Sequence, residues 1–174
     1  MNKPSLRVIF PVTALALLLS ACGGGGDGGD FQNEPRGSLR AASVTVANST
    51  DTSLNGGYAT SDVFLNDIVK VNPIGGEPET CRMRFANLPK TGTPQLIMDG
   101  EVRYKPGTTE TTVTTVSINA IEFRLVGPAG ANVNRATNVV TYANAVFEST
   151  QGTGRTITLS GTIPLRAENK PEGC

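Results

Sequence analysis

The chain contains no histidine and no tryptophan, and only 3 cysteines among its 174 residues. Without histidine, Ser-His-Asp and Cys-His nucleophilic catalysis are excluded, and so is the side chain most used for proton transfer and metal ligation near neutral pH. No serine stands three residues before a lysine, which removes the Ser-x-x-Lys arrangement, and no Gly-Lys-Ser/Thr loop is present to cradle phosphates. Aromatic residues make up 5% of the chain, so stacking platforms for a sugar are scarce. Charge of neither sign prevails. The 15 basic and 15 acidic side chains cancel, and the basic ones are scattered, which argues against electrostatic capture of nucleic acid. The apolar run Val8 to Leu19 is too short to span a bilayer as a helix, which takes about 20 residues.

That run nevertheless has a clear use. Lys3 and Arg7 supply a positive head, the apolar stretch follows, and it ends in Leu19-Ser20-Ala21-Cys22, the order of a secretory leader. These residues resemble the lipobox of bacterial lipoproteins: a leucine, two small residues and then cysteine. The resemblance implies cleavage before Cys22, a diacylglyceryl thioether on its sulfur, and acylation of the new amine by a palmitate-like chain. Two or more chains hold a protein stably at a membrane, whereas one does so marginally. For a Gram-negative cell the resemblance also makes Gly23, in place of aspartate, a signal for passage to the outer membrane. Loss of Lys3 and Arg7 with the leader leaves 13 basic against 15 acidic side chains.

Residues 1–21 are therefore expected to be a cleaved leader, 22–37 a lipidated cysteine on a glycine-rich tether, and 38–174 a single domain. The tether reading follows from Gly23 to Asp30, which can bury nothing and would lose much backbone entropy if ordered; about 15 such residues reach roughly 20 Å. Gly25 to Asp30 also matches the first positions of a Gly-Gly-x-Gly-x-Asp calcium repeat. A calcium roll needs several stacked copies, and Gln32 stands where an apolar residue belongs. The tether is the better reading.

With Cys22 assigned to lipid, Cys81 and Cys174 remain, and two cysteines in an exported chain are expected to pair. They cannot complete a zinc site without histidine or further thiols. The bridge would close about 94 residues, worth roughly 4 to 5 kcal/mol by loop entropy, and would fix a chain end that otherwise frays.

From Ser38 onward, apolar residues alternate with polar ones. Leu96, Met98, Val102 and Tyr104 share one face of a strand, with Asp99, Glu101, Arg103 and Lys105 on the other. Ile157, Leu159, Ile163 and Leu165 do the same against Thr156, Thr158, Ser160 and Thr162, and Cys81, Met83 and Phe85 alternate with Arg82 and Arg84. This is the period of half-exposed antiparallel strands. Val44 and Val46 mark a first strand. Val139 to Phe147 is apolar on both faces, as a central strand would be. Between Thr111 and Val126 the apolar parity switches, which a bulge or bend near Ala120 would reconcile. Asp62 to Val71 fits strand or helix, and strand is adopted. Gly and Pro clusters punctuate the segments, including Gln151 to Gly154 between the last two strands. The expected fold is all-β: an antiparallel sandwich or partly closed barrel of about seven or eight strands.

For chemistry, paired carboxylates remain. Asp99 and Glu101 share a strand face, and Glu122 lies near Arg124; Glu101 and Glu122 are the candidates for a carboxylate-based glycan hydrolase. The plainer reading makes them solubilising charges, and if the Cys81 strand lay beside the Pro94 strand, Arg82 and Arg84 would meet Asp99 and Glu101. The Thr108 to Thr115 run is likewise read as exposed strand. The sequence thus points to a non-catalytic envelope module, without cofactor or metal, held to the membrane by lipid and contacting an envelope protein. A small-ligand or saccharide-binding domain is the alternative.

Overall fold

The computed structural model describes residues 40–73, 76 and 78–174; the expected leader, Cys22, the tether and the Gly25–Asp30 segment lie outside them. The strands in chain order are β1 (Ala42–Ala47), β2 (Gly56–Thr60), β3 (Phe64–Leu65), β4 (Val69–Val71), β5 (Thr80–Lys90), β6 (Thr93–Tyr104), β7 (Thr111–Ile118), β8 (Ile121–Leu125), β9 (Ala131–Asn134), β10 (Val139–Ser149) and β11 (Thr156–Pro164). Eight of them, β1, β2, β5, β6, β7, β8, β10 and β11, pair with their neighbours in that order, and β11 returns to β1. The wall is a closed antiparallel barrel. Because β11 hydrogen-bonds both β10 and β1, there are no two separate sheets, and the sandwich alternative does not apply.

Alternation builds the wall directly. Met98, Val102 and Tyr104 of β6 and Cys81, Met83 and Phe85 of β5 are all 0% exposed, as are Ile157, Leu159 and Ile163 of β11. An eight-stranded barrel has an interior just wide enough for side chains to fill it. Tyr58, Tyr104, Tyr142, Phe85, Phe123 and Phe147 are the largest of those that do.

Two local readings change in the structure, and a third, the strand reading of Asp62 to Val71, holds with a break in it. The parity switch near Ala120 is a chain reversal: Asn119 and Ala120 both have positive φ (51° and 60°), and Ile118 pairs with Ile121 across the turn. Two consecutive left-handed residues make the two-residue turn whose twist suits a hairpin. Second, β10 owes its two-faced apolar appearance to a bulge. Its register to β11 shifts between Tyr142 and Ala145, with Asn144 at φ 53°, so Tyr142 and Phe147 both point inward although their positions differ in parity. Third, Asp62 to Val71 forms no helix but the two short strands β3 and β4. Both lie against β5, with Phe64 opposite Ala86 and Val69 opposite Arg82. They fill the side of β5 that β2 leaves open, since β2 and β5 pair only at Tyr58 and Lys90.

Each end of the barrel is covered by a segment that a core tyrosine recognises. At one end the short 3-10 turn Thr52–Leu54 buries Leu54, and the Tyr58 hydroxyl donates to the Leu54 carbonyl at 3.0 Å. At the other, residues 167–174 fold across the opening. The Tyr104 hydroxyl donates to the Cys174 carbonyl at 3.0 Å, Arg135 donates to the Gly173 and Gly107 carbonyls, and Cys81 is bonded to Cys174 with Cα atoms 5.7 Å apart. Burial pushes both tyrosine hydroxyls up to about 12, so they remain neutral donors. Arg40 reaches the same end, donating to the Leu165 carbonyl and pairing with Glu168 at 3.2 Å.

Candidate functional site

The densest grouping of charge lies on the outer face of β5 to β8. Antiparallel register arranges it in rows. In one row Arg84, Glu101, Thr115 and Arg124 stand side by side across four strands. One step toward the 3-10 turn end, Asp99, Ser117 and Glu122 form a second row. One step the other way, Arg82 stands opposite Arg103, which stands opposite Val113.

The expected adjacency of the Cys81 and Pro94 strands is present, and half of its consequence follows. Arg84 Nε donates to Glu101 Oε2 at 2.8 Å. Arg82, however, meets no carboxylate among the described residues; its partner in register is Arg103. Asp99 is displaced from the arginines by the irregularity between Phe85 and Leu88, and its Oδ1 accepts from the Asn87 backbone N–H at 2.9 Å. What the alternation did not indicate is the role of Arg103. It sits two residues from Glu101 on the same strand face and donates from Nε to Oε1 at 2.6 Å.

Glu101 is thus clamped between two guanidinium groups, with its side chain 15% exposed. Burial would raise its pKa, but hydrogen bonds from Arg84 and Arg103, and their charge, outweigh that and hold the carboxyl below its usual range. A proton-donating carboxylic acid in glycoside hydrolysis needs the opposite shift. Because the folded pKa is depressed, the stabilisation is fully present above the unfolded value and is lost as pH falls through the folded one. Glu101→Gln should accordingly cost about 1–2 kcal/mol at pH 7, and the gap from wild type should close as pH falls below about 4. Urea unfolding at a series of pH values measures this; a gap that does not vary with pH would show that the charge of Glu101 contributes nothing.

Two clefts open on this face. A shallow one of about 220 Å³ is lined by Arg84, Asp99, Glu101, Thr115, Ser117 and Glu122, so both candidate carboxylates border it. A larger one of about 450 Å³ lies where the wall parts. β7 pairs with β8 only up to Arg124, and past residues 126–130 it is Glu110, just before β7, that forms an isolated bridge to Asn132 of β9. Lys105, Glu110, Thr112, Arg124, Leu125 and Pro128 line that cleft. Glu148 is opposite Arg124 on β10, yet Arg124 lines the cleft. Gly130 makes the break possible: at φ 83° it lies so close to the β10 bulge that a Cβ would come within 2.8 Å of the Ala145 Cα. No sequence signal beyond the Gly127 to Gly130 cluster marked this feature.

Cys81 and Cys174 form the expected disulfide. Among the described residues no group of three Asp, Glu or Cys side chains is placed to hold a metal ion. No protein-family model, curated protein or solved structure matches the chain.

Proposed function

We propose that the chain is a bacterial lipoprotein, acylated at Cys22 and held at the outer membrane, whose barrel is a non-catalytic module that contacts another envelope protein. The observation that carries the reading is the filled interior: inward side chains from all eight wall strands are buried against one another, so recognition falls to the outer surface. The arginine clamp on Glu101 speaks against its use as an acid in glycan hydrolysis. Barrel closure also limits where a partner strand could add, since a sheet extends only at an edge. Among the described strands, β4 pairs with β5 alone and presents Val69 at 38% exposure beside Lys70.

A photo-crosslinking residue at position 69, activated in intact membranes, is expected to capture one discrete envelope protein. The same chain with Cys22→Ser should leave the acylated membrane fraction and lose that adduct. Undiminished acylated membrane partitioning of Cys22→Ser would reject the anchor, and a ladder of unrelated adducts would reject the specific contact. The second reading, a small-ligand binder, is favoured by the 450 Å³ cleft, a size within the range of ligand sites; a rise in melting temperature across a saccharide and lipid panel would select it.

A further inference from the structure

We infer that Arg82 and Arg103 form an oxyanion site that takes a phosphate group. The two arginines are directly opposite each other on β5 and β6, and their row continues into Val69 of β4 on one side and Val113 of β7 on the other. That row contains no carboxylate. Like charges directly opposite on a sheet repel, and a guanidinium cannot relieve the repulsion by releasing its proton. The neighbouring row supplies one carboxylate for two arginines: Glu101 takes the Nε of Arg84 on one oxygen and the Nε of Arg103 on the other. Three positive charges and one negative leave an excess of about two on adjacent wall positions. Arg82 is half-buried and, among the described residues, has neither an ion pair nor a side-chain hydrogen bond.

This charge pattern selects a specific chemistry. Each guanidinium presents a planar fork that matches the oxygens of phosphate, and Arg103, bound to Glu101 through Nε, keeps its terminal nitrogens for another acceptor. A doubly charged tetrahedral group balances the excess where a single carboxylate would leave half of it. The lowered pKa of Glu101 is consistent with a local surplus of positive charge. The pair also lies near a defined end of the barrel. Cys81 and Tyr104, the next pair in the register, belong to the end that Arg40 and residues 167–174 cover. A phosphate from a lipid headgroup would come from that side if the chain is anchored as proposed; that source rests on the anchor reading, whereas the oxyanion chemistry does not.

The test uses the full chain purified in neutral detergent, with inorganic phosphate titrated against sodium chloride at equal ionic strength. Arginine Nε–H resonances and the melting temperature are followed for wild type, Arg82→Gln and Arg82→Lys. Phosphate should shift the Arg82 and Arg103 signals and raise the wild-type melting temperature. Arg82→Gln should weaken binding at least about tenfold, with Arg82→Lys in between. In chloride alone Arg82→Gln should melt about 1–3 °C higher than wild type, because the opposed charges are gone. Short-chain phosphatidic acid, a phosphate monoester, and phosphatidylcholine, a phosphodiester without net charge, each below its micelle concentration, separate the sources: tighter binding of phosphatidic acid than of both phosphate and phosphatidylcholine identifies a lipid headgroup monoester, and equal or weaker binding identifies free phosphate. Phosphate acting no differently from chloride would overturn the site, as would an Arg82→Gln protein that binds phosphate like wild type or melts lower in chloride.

Discussion

Replacing both Cys81 and Cys174 by alanine should destabilise the barrel by about 4–5 kcal/mol and lower its melting temperature by roughly 15 °C. The bridge spans a sequence separation of 93, so its loss frees an unfolded chain that was held in one large ring. That loss acts on the unfolded state and needs no change in the wall. The native side is affected only locally. Residues 167–174 retain other ties, among them the Gly107 N–H to the Gly173 carbonyl at 2.7 Å and Lys170 Nζ to the Arg135 carbonyl at 3.1 Å. Hydrogen exchange should therefore show the tail opening early while β5 and β6 stay protected. A fall in melting temperature of less than about 3 °C would mean that the reduced, unfolded chain is already compact enough for the bridge to restrict little. Broad loss of protection in β5 and β6 would instead make the disulfide part of the wall's own packing.

How much of this architecture the residues disclose depends on the kind of signal. Alternation is local, and it identified the long strands β5, β6 and β11 with their inward stripes, because one buried face leaves a period of two wherever the backbone is regular. It could not distinguish a reversal from a bulge. The parity switch at Ala120 and the mixed faces of β10 are alike in sequence, yet the first turns the chain and the second adds a residue. Arg84 meeting Glu101 was legible once two strands were assumed adjacent. Arg82 facing Arg103 was not, since register is set by hairpin and bulge geometry far from those side chains. Closure was hidden for a similar reason: no residue pattern states that β11 finds β1. One trace was present. The inward stripes Met98, Val102 and Leu159, Ile163 each skip a position, and glycine occupies the gap, at Gly100 and Gly161. A glycine on the inward parity of a strand marks a close backbone approach or a tight bend in a barrel.

Gly161 gives that trace its sharpest consequence. Its backbone is at φ 138°, outside the range of ordinary L residues, and a Cβ there would come within 2.2 Å of the Ser43 carbonyl oxygen and 2.8 Å of the Val44 Cα. Both are backbone atoms of β1, the strand that completes the ring, and Gly161 is in register with Val44 on one side and Tyr142 on the other. No side-chain rotation can relieve such a clash; β1 and β11 must separate. Gly161→Ala is expected to cost at least about 3 kcal/mol, combining overpacking with left-handed strain, a large share of the 5–15 kcal/mol typical of a domain. Gly154→Ala is the control, because Gly154 also has positive φ, at 65°, but a Cβ there meets nothing within 4 Å. It should cost about 1 kcal/mol from backbone strain alone. Urea midpoints at matched slopes compare the two. Equal losses would show that the β1–β11 seam yields readily and that the contact with Ser43 does not enforce closure. A loss at Gly161 several times that at Gly154, with hydrogen-exchange protection falling first in β1 and β11, would identify the seam as the place where the ring is held shut most tightly.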